Sequence, residues 1–170
     1  MSPRPNTNKP KSKSSSDKDG IRIVAQNRSA SYNYILLDKV EAGIVLVGTE
    51  VKTLREGKAT LREAYAEPRA GELWLMNAHI PEYRAGGVWN HNPMRPRKLL
   101  LHRRELDKLA GRAQQRGLTL VPLKIYFRGN RAKCELALGQ GKKFHDKRQS
   151  ERDQEARREA KEAMARSRKR

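Results

Sequence analysis

The sequence predicts a mainly β fold, an OB-like small barrel with two or three flanking α-helices and disordered basic tails at both ends. Three observations carry this. About six short runs of branched and aromatic residues lie between residues 21 and 138. Too few helical segments separate them for a parallel α/β sheet. Composition changes abruptly near residues 20 and 139.

Residues 1–20 (MSPRPNTNKPKSKSSSDKDG) hold almost nothing apolar. They bury too little surface to offset the entropy of ordering, and a disordered tail is expected. Residues 21–26 and 34–37 are short β-like runs, and 43–47 (GIVLV) has the continuous apolar character of a buried strand. Residues 49–56 (TEVKTLRE) lie between Gly48 and Gly57 with Val51 and Leu54 on one side, predicting a short helix stopped by Gly57. A turn at 67–71 (EPRAG) leads into a strand over 72–80 (ELWLMNAHI), which places Trp74 in the core. Residues 102–116 form the clearest helix: Leu106, Leu109, Ala110 and Ala113 repeat at i, i+3, i+4, i+7, and Gly117 follows as its stop. Residues 118–127 and 132–138 flank Gly129-Asn130, a hairpin signal. After a flexible joint at Gly139-Gln140-Gly141, the segment 146–170 has high helix propensity but only a weak stripe of Ala156, Ala160, Ala163 and Met164. The repulsive Glu151–Glu155 and Glu155–Glu159 spacings work against it. This tail is expected to be unfolded alone and helical on a surface that neutralises it. The organisation is therefore a tail at 1–20, a barrel domain at 21–138 and a second tail at 139–170.

Charge indicates the partner. The 170 residues carry 38 Lys and Arg against 19 Asp and Glu, a net +19, of which +10 falls within 21–138. A folded domain with that excess calls for a polyanion. No apolar run approaches the length of a membrane span and no apolar leader opens the chain, so no membrane role and a cytoplasmic location are expected. The lone Cys134 excludes an intramolecular disulfide, and a buried thiol in a strand is expected. Catalysis finds little footing. His79, His91, His102 and His145 are scattered, no HExxH, GxSxG or P-loop spacing occurs, and Glu41, Glu50 and Glu56 read as surface acids balancing neighbouring cations. Neither a metal nor another cofactor is expected.

Basic clusters recur instead: Lys52, Arg55 and Lys58 around the first helix; Arg95, Arg97 and Lys98; Lys124, Arg128, Arg131 and Lys133 at the last hairpin; then Lys142 and Lys143. Each alone reads as a solvated face, but four on one small domain suggest a surface that tracks phosphates. RNA is favoured over DNA, for no helix-turn-helix or zinc-finger spacing is present. Tyr32, Tyr34, Trp74, Trp89 and Phe144 are candidates to stack on unpaired bases, with Trp74 read first as core and Tyr34 and Phe144 favoured by their polar neighbours.

Four blocks refine this: Asn27-Arg28-Ser29-Ala30 with Tyr34; Glu41-Ala42-Gly43 leading to residues 48–59 (GTEVKTLREGKA); Arg97-Lys98-Leu99-Leu100-Leu101 with Arg104-Glu105-Leu106; and residues 141–148 (GKKFHDKR). In this order and spacing they resemble the SmpB family, the SsrA-binding proteins of bacterial trans-translation. The resemblance implies an OB-like barrel that binds the tRNA-like domain of transfer-messenger RNA. With GTP-bound elongation factor Tu, such a protein delivers that RNA to stalled ribosomes. It implies an RNA-facing set of Asn27, Tyr34, Glu41, Lys52, Lys98 and Lys133, to which the basic clusters add Arg55, Lys58, Arg97, Lys142 and Lys143. It further implies a tail that folds in the empty messenger channel against 16S ribosomal RNA. His145, Asp146, Lys147 and Arg148 would then lie near the decoding centre, and Met164 would supply an apolar contact farther along. Glu41 is open between two roles, accepting bonds from base or ribose donors or bridging to a neighbouring Arg. Two positions depart from the family pattern: Gln140 replaces a common basic residue, and Ala163 a larger apolar one. A generic ribosomal or ribosome-assembly protein and an RNA-modifying enzyme are the rival readings.

Overall fold

A computed structural model describes residues 16–17 and 20–167. Its strands are β1 (Ser16–Asp17), β2 (Ile21–Gln26), β3 (Tyr34–Ile44), β4 (Tyr65–Arg69), β5 (Glu72–Met76), β6 (Arg97–Leu100), β7 (Leu118–Arg128) and β8 (Arg131–Gly141). Four helices accompany them: α1 (Ala30–Asn33), α2 (Gly48–Arg55), α3 (Arg103–Ala113) and α4 (Phe144–Ser167). Every pairing is antiparallel, and the order β7-β4-β5-β6-β3-β8 closes on itself through β7–β8. This is the expected mainly β barrel. β2 lies outside the ring on the far half of β7, with β1 beyond it. Apart from β1 and Gly20, the expected N-terminal tail lies outside the described residues.

Inward residues alternate with outward ones, as the two-residue strand period demands. In β5, Leu73 and Leu75 are buried while Trp74 is only half-buried on the outer face, opposite Lys98. Trp74 is thus not the core residue expected, because its neighbours hold the inward register. Leu54, Leu61, Leu73, Leu75, Leu120, Ile125, Leu136 and Leu138 fill the barrel, with Cys134 among them. α3 adds Leu106 and Leu109 to the same core.

Several elements differ from the sequence reading for local reasons. The run at 34–37 and the start of that at 43–47 belong to one eleven-residue β3, which ends at Ile44; its continuity was hidden by the outward Asp38-Lys39 stretch and by a register shift between Leu36 and Lys39. β4 was concealed by Pro68, tolerated because β4 meets β7 only at Ala66. β5 stops at Met76, where Asn77 turns with φ 55, and the chain beyond it contributes a single bridge from His79 to Thr60. The β7–β8 hairpin turns on Gly129 at φ 59, with Asn130 outside the positive-φ region. α3 ends at Ala113, and Gly117 instead opens β7.

The expected joint at 139–141 is wrong. These residues end β8, paired with Leu36, Ile35 and Tyr34 of β3. A Cβ on Gly139 would lie 3.1 Å from Val121 and 3.2 Å from Tyr34, so glycine there permits a close strand approach rather than flexibility. The change of element falls at Lys142–Lys143.

Candidate nucleic-acid interface

The register of three strands assembles the first charged cluster. Gly43 of β3 pairs with Lys133 of β8, which pairs in turn with Tyr126 of β7. Glu41 lies two residues along the same outward face and accepts hydrogen bonds from the Lys133 ammonium and the Tyr126 hydroxyl. Arg128 stands 3.6 Å from the same carboxylate. The Lys133 hydrogen bond, seconded by Tyr126, holds the Glu41 carboxyl below its ordinary pKa. Burial and the Glu41 hydrogen bond push the Tyr126 hydroxyl well above its own. Glu41 therefore stays ionised and holds Lys133 in the wall of a cleft of about 690 Å³ that Leu100, His102, Glu105 and Arg131 also line. Of the two roles open to Glu41, the cation bridge is the one present here, made to Lys133 at closest range.

A second cluster surrounds α2. Lys52 lies over the Tyr83 ring at 5.2 Å, and Arg55 over Phe127 at 6.0 Å. Lys58 is exposed and paired with Glu56. Lys98 lies on the outer face of β6, half-buried and paired with Glu72. A third group joins Asn27 and Tyr34 in a smaller cleft of about 230 Å³ with Ser29, Asn33 and Arg62. The Asn27 amide is largely occupied, donating to the Leu61 carbonyl at 3.1 Å and accepting from the Ser29 hydroxyl at 2.9 Å. Its geometry shapes the cleft wall.

Arg97 is a correction. Its side chain is fully buried, so it cannot meet a phosphate on the surface. Its Nε donates to Glu50 Oε1 at 2.8 Å, Nη1 to the carbonyls of Ala78 and Arg95, and Nη2 to that of Pro93. Glu50, also fully buried, accepts further bonds from Arg95 and from the Val47 backbone N–H. Burial alone would raise the Glu50 pKa. The Arg95 hydrogen bonds, the Val47 amide and the Arg97 charge outweigh it and hold the carboxyl below its ordinary value. Glu50 is thus an internal carboxylate rather than a surface acid. Buried His91 packs beside the hub, its Nε2 3.0 Å from the Ile80 carbonyl, to which it donates, and its Nδ1 2.8 Å from the Thr49 hydroxyl.

The tail positions are spread along α4. Lys142 bonds the Ser31 carbonyl at 2.9 Å, and Lys143 is exposed before the helix. Lys147 lies over the Tyr32 ring at 5.8 Å, and Tyr32 donates to Glu151 at 2.8 Å, fastening the helix start to α1. Asp146 accepts from the Lys143 backbone N–H, Arg148 is exposed, and so is Met164 near the far end. The side chains of Phe144 and His145 lie outside the described residues. The sequence reading left Tyr126 and Leu100 out of the interface. Only strand register brings them to it.

Among the described residues there is no His, Cys, Asp and Glu grouping that could hold a metal, and no helix long and apolar enough to cross a membrane. The family model described as "SmpB protein" matches residues 24–166. The chain is 55% identical over 141 residues to the SsrA-binding protein of Bradyrhizobium diazoefficiens, covering 82% of this chain and 89% of that protein. It is 57% identical over 133 residues to that of Nitrobacter hamburgensis, covering 77% and 84%. In three dimensions it is similar to a chain solved in "tmRNA-SmpB: a journey to the center of the bacterial ribosome". The TM-score is 0.61 at 50% identity, with 70% of this chain and 84% of that one covered.

Proposed function

Because the chain belongs to the SmpB family, we propose that it is a non-enzymatic RNA-binding adaptor of trans-translation, acting in the cytoplasm. The barrel binds the tRNA-like domain of transfer-messenger RNA. With GTP-bound elongation factor Tu the complex reaches ribosomes whose A site lacks a codon. The C-terminal segment then occupies the decoding centre and the empty messenger channel, and the nascent chain is rescued and tagged.

The observation that carries the RNA-binding half is the Glu41 cluster. A carboxylate on a domain of this charge would repel a phosphate backbone, yet it holds Lys133 in the lining of a cleft with Arg131 alongside, and Arg128 stands 3.6 Å from it. Fixed cations lose less side-chain entropy on meeting a phosphate than free ones. Asn27 and Tyr34 in their cleft, Lys52, Arg55 and Lys58 at α2, and Lys98, Lys142 and Lys143 extend the RNA-facing set. Asp146, Lys147, Arg148, Met164 and His145 belong to the ribosome-facing tail. The physics of the tail supports that division. Its described side chains are exposed save Lys147, which is half-buried, so burial does little to hold α4 and a neutralising RNA channel can decide its order.

The test is capture of RNA by the tagged protein from bacterial lysate, followed by sequencing. Enrichment of transfer-messenger RNA is expected, with affinity for its tRNA-like domain falling steeply as salt rises. Equal recovery of ribosomal RNA without transfer-messenger RNA would favour a general ribosomal protein and overturn the proposal.

A further inference from the structure

The connection between β5 and β6 holds a large aromatic side chain in water. Trp89 is 87% exposed and Val88 95%, at the tip of a short 3-10 turn over Gly87–Trp89. This tip is not slack. Asn90 clamps it by accepting from the Tyr83 backbone N–H at 2.9 Å and donating to the Tyr83 carbonyl at 2.7 Å. A Cβ on Gly86 would come within 2.7 Å of that amide, so the clamp closes only over glycine. Just beyond, His91 is buried and pinned to Thr49 and Ile80, and the Pro93 carbonyl is tied to Arg97. The loop is a braced prong, and an indole presented this way is suited to being covered by a flat ligand.

Beside the indole lies a hollow of about 490 Å³, within the range of small-ligand sites. Lys52 and Arg95 line it and no carboxylate does, since Glu50 lies behind, fully buried against Arg95 and Arg97. An aromatic face with two cations and no acid fits a base that carries a phosphate. It fits an apolar peptide less well, because a peptide offers no charge to Lys52, which lines the hollow without an acid beside it there. Glu41 and Gly43 on the outer face of β3, then exposed Val45 and Val47 in the chain that follows it, lead here from the RNA-facing cleft, a span of at most roughly 20 Å at about 3.3 Å per residue. A folded RNA seated at Glu41 and Lys133 spans that distance.

We propose that Trp89 is a stacking platform for one unpaired nucleotide of the bound transfer-messenger RNA, whose phosphate is held by Lys52 and Arg95. The inference rests on the function proposed above and adds to it a specific nucleotide site. Base stacking on an aromatic side chain is sequence-tolerant, so the platform reads the presence of a splayed base rather than its identity.

The test uses the full chain and the isolated tRNA-like domain RNA. Indole fluorescence of the native protein is compared with W89F, which leaves Trp74 as its sole indole. Quenching by RNA is expected in the native protein and largely absent in W89F. W89A is expected to weaken binding about tenfold with an unchanged salt slope, W89F to retain most of the affinity, and K52A to lower the slope by about one. A thermal melt of W89A like that of the native protein shows that the fold is intact, since the side chain packs against little. Unchanged affinity in W89A together with no Trp89 quenching in the RNA-bound protein overturns the inference alone. No binding by the native protein overturns the proposed function with it. Loss in W89A of a ribosomal-protein contact, with RNA affinity intact, also overturns it.

Discussion

Replacing Arg97 with Met separates an internal structural cation from the surface cations proposed to meet RNA. The guanidinium is fully buried and satisfies one Glu50 oxygen and the carbonyls of Ala78, Arg95 and Pro93. Met matches much of its volume but donates nothing. Glu50 keeps Arg95 and the Val47 amide, so it is weakened rather than stranded. The Pro93 carbonyl keeps the Ile80 N–H, while the Ala78 carbonyl loses its Arg97 donor, at roughly 1–3 kcal/mol for a buried group left unsatisfied. Losing the charge-assisted bond from Arg97 to Glu50 adds roughly 1.5–3 kcal/mol, for about 3–5 kcal/mol in all. At roughly 3 °C per kcal/mol for a domain of this size, the melting temperature should fall by about 10–15 °C. Urea unfolding followed by circular dichroism measures the loss directly. RNA binding is then compared below the transition, where the variant is folded. Its salt slope should equal that of the native protein, while K133A should lower the slope by about one phosphate. A stability loss under 1 kcal/mol, or a salt slope reduced by R97M, would refute the assignment of Arg97 to the interior.

Other perturbations test the remaining parts. Truncation after Lys143 should leave melting temperature and RNA affinity unchanged while abolishing tagging of stalled chains; truncation after Leu138 should also lower the melting temperature, because it removes the Gly139–Gly141 pairings with β3. A peptide spanning residues 144–167 should show little helix by circular dichroism in dilute buffer, and a stable helix there would contradict folding on the ribosome. Acid should destabilise the fold through Glu50 and Glu41. Both are held below their ordinary pKa of 4.5, so their contribution is complete above the unfolded value and drains away as pH falls through the depressed folded ones. Melting temperature between pH 7 and pH 3 should therefore fall less steeply in E50Q, from a lower starting point.

The class of this fold and the expectation of a polyanionic partner could both be read from the chain alone. Alternating apolar runs, a Gly129 hairpin and the i, i+3, i+4 pattern of α3 are local signals, readable because strand and helix periods are set by backbone geometry alone. The charge of the central domain is likewise additive along the chain, and it directed the reading to RNA before any contact was known. Strand β4 escaped because Pro68 obscures a β pattern, and its tolerance depends on an unpaired edge that exists only once the barrel closes. The joint at 139–141 was misplaced for the same reason: two glycines read as flexible until Tyr34 and Val121 are packed against one of them. Arg97 and Lys98 are neighbours with equal charge, yet one is sealed against Glu50 and the other faces outward beside Glu72. Side chains on a strand alternate, and only the closed barrel decides which face is inside. The grouping of Glu41 with Lys133, Tyr126 and Arg128 joins three strands whose register no local pattern records. Which residues are basic was legible in the chain; which of those charges a partner can touch was decided by tertiary structure.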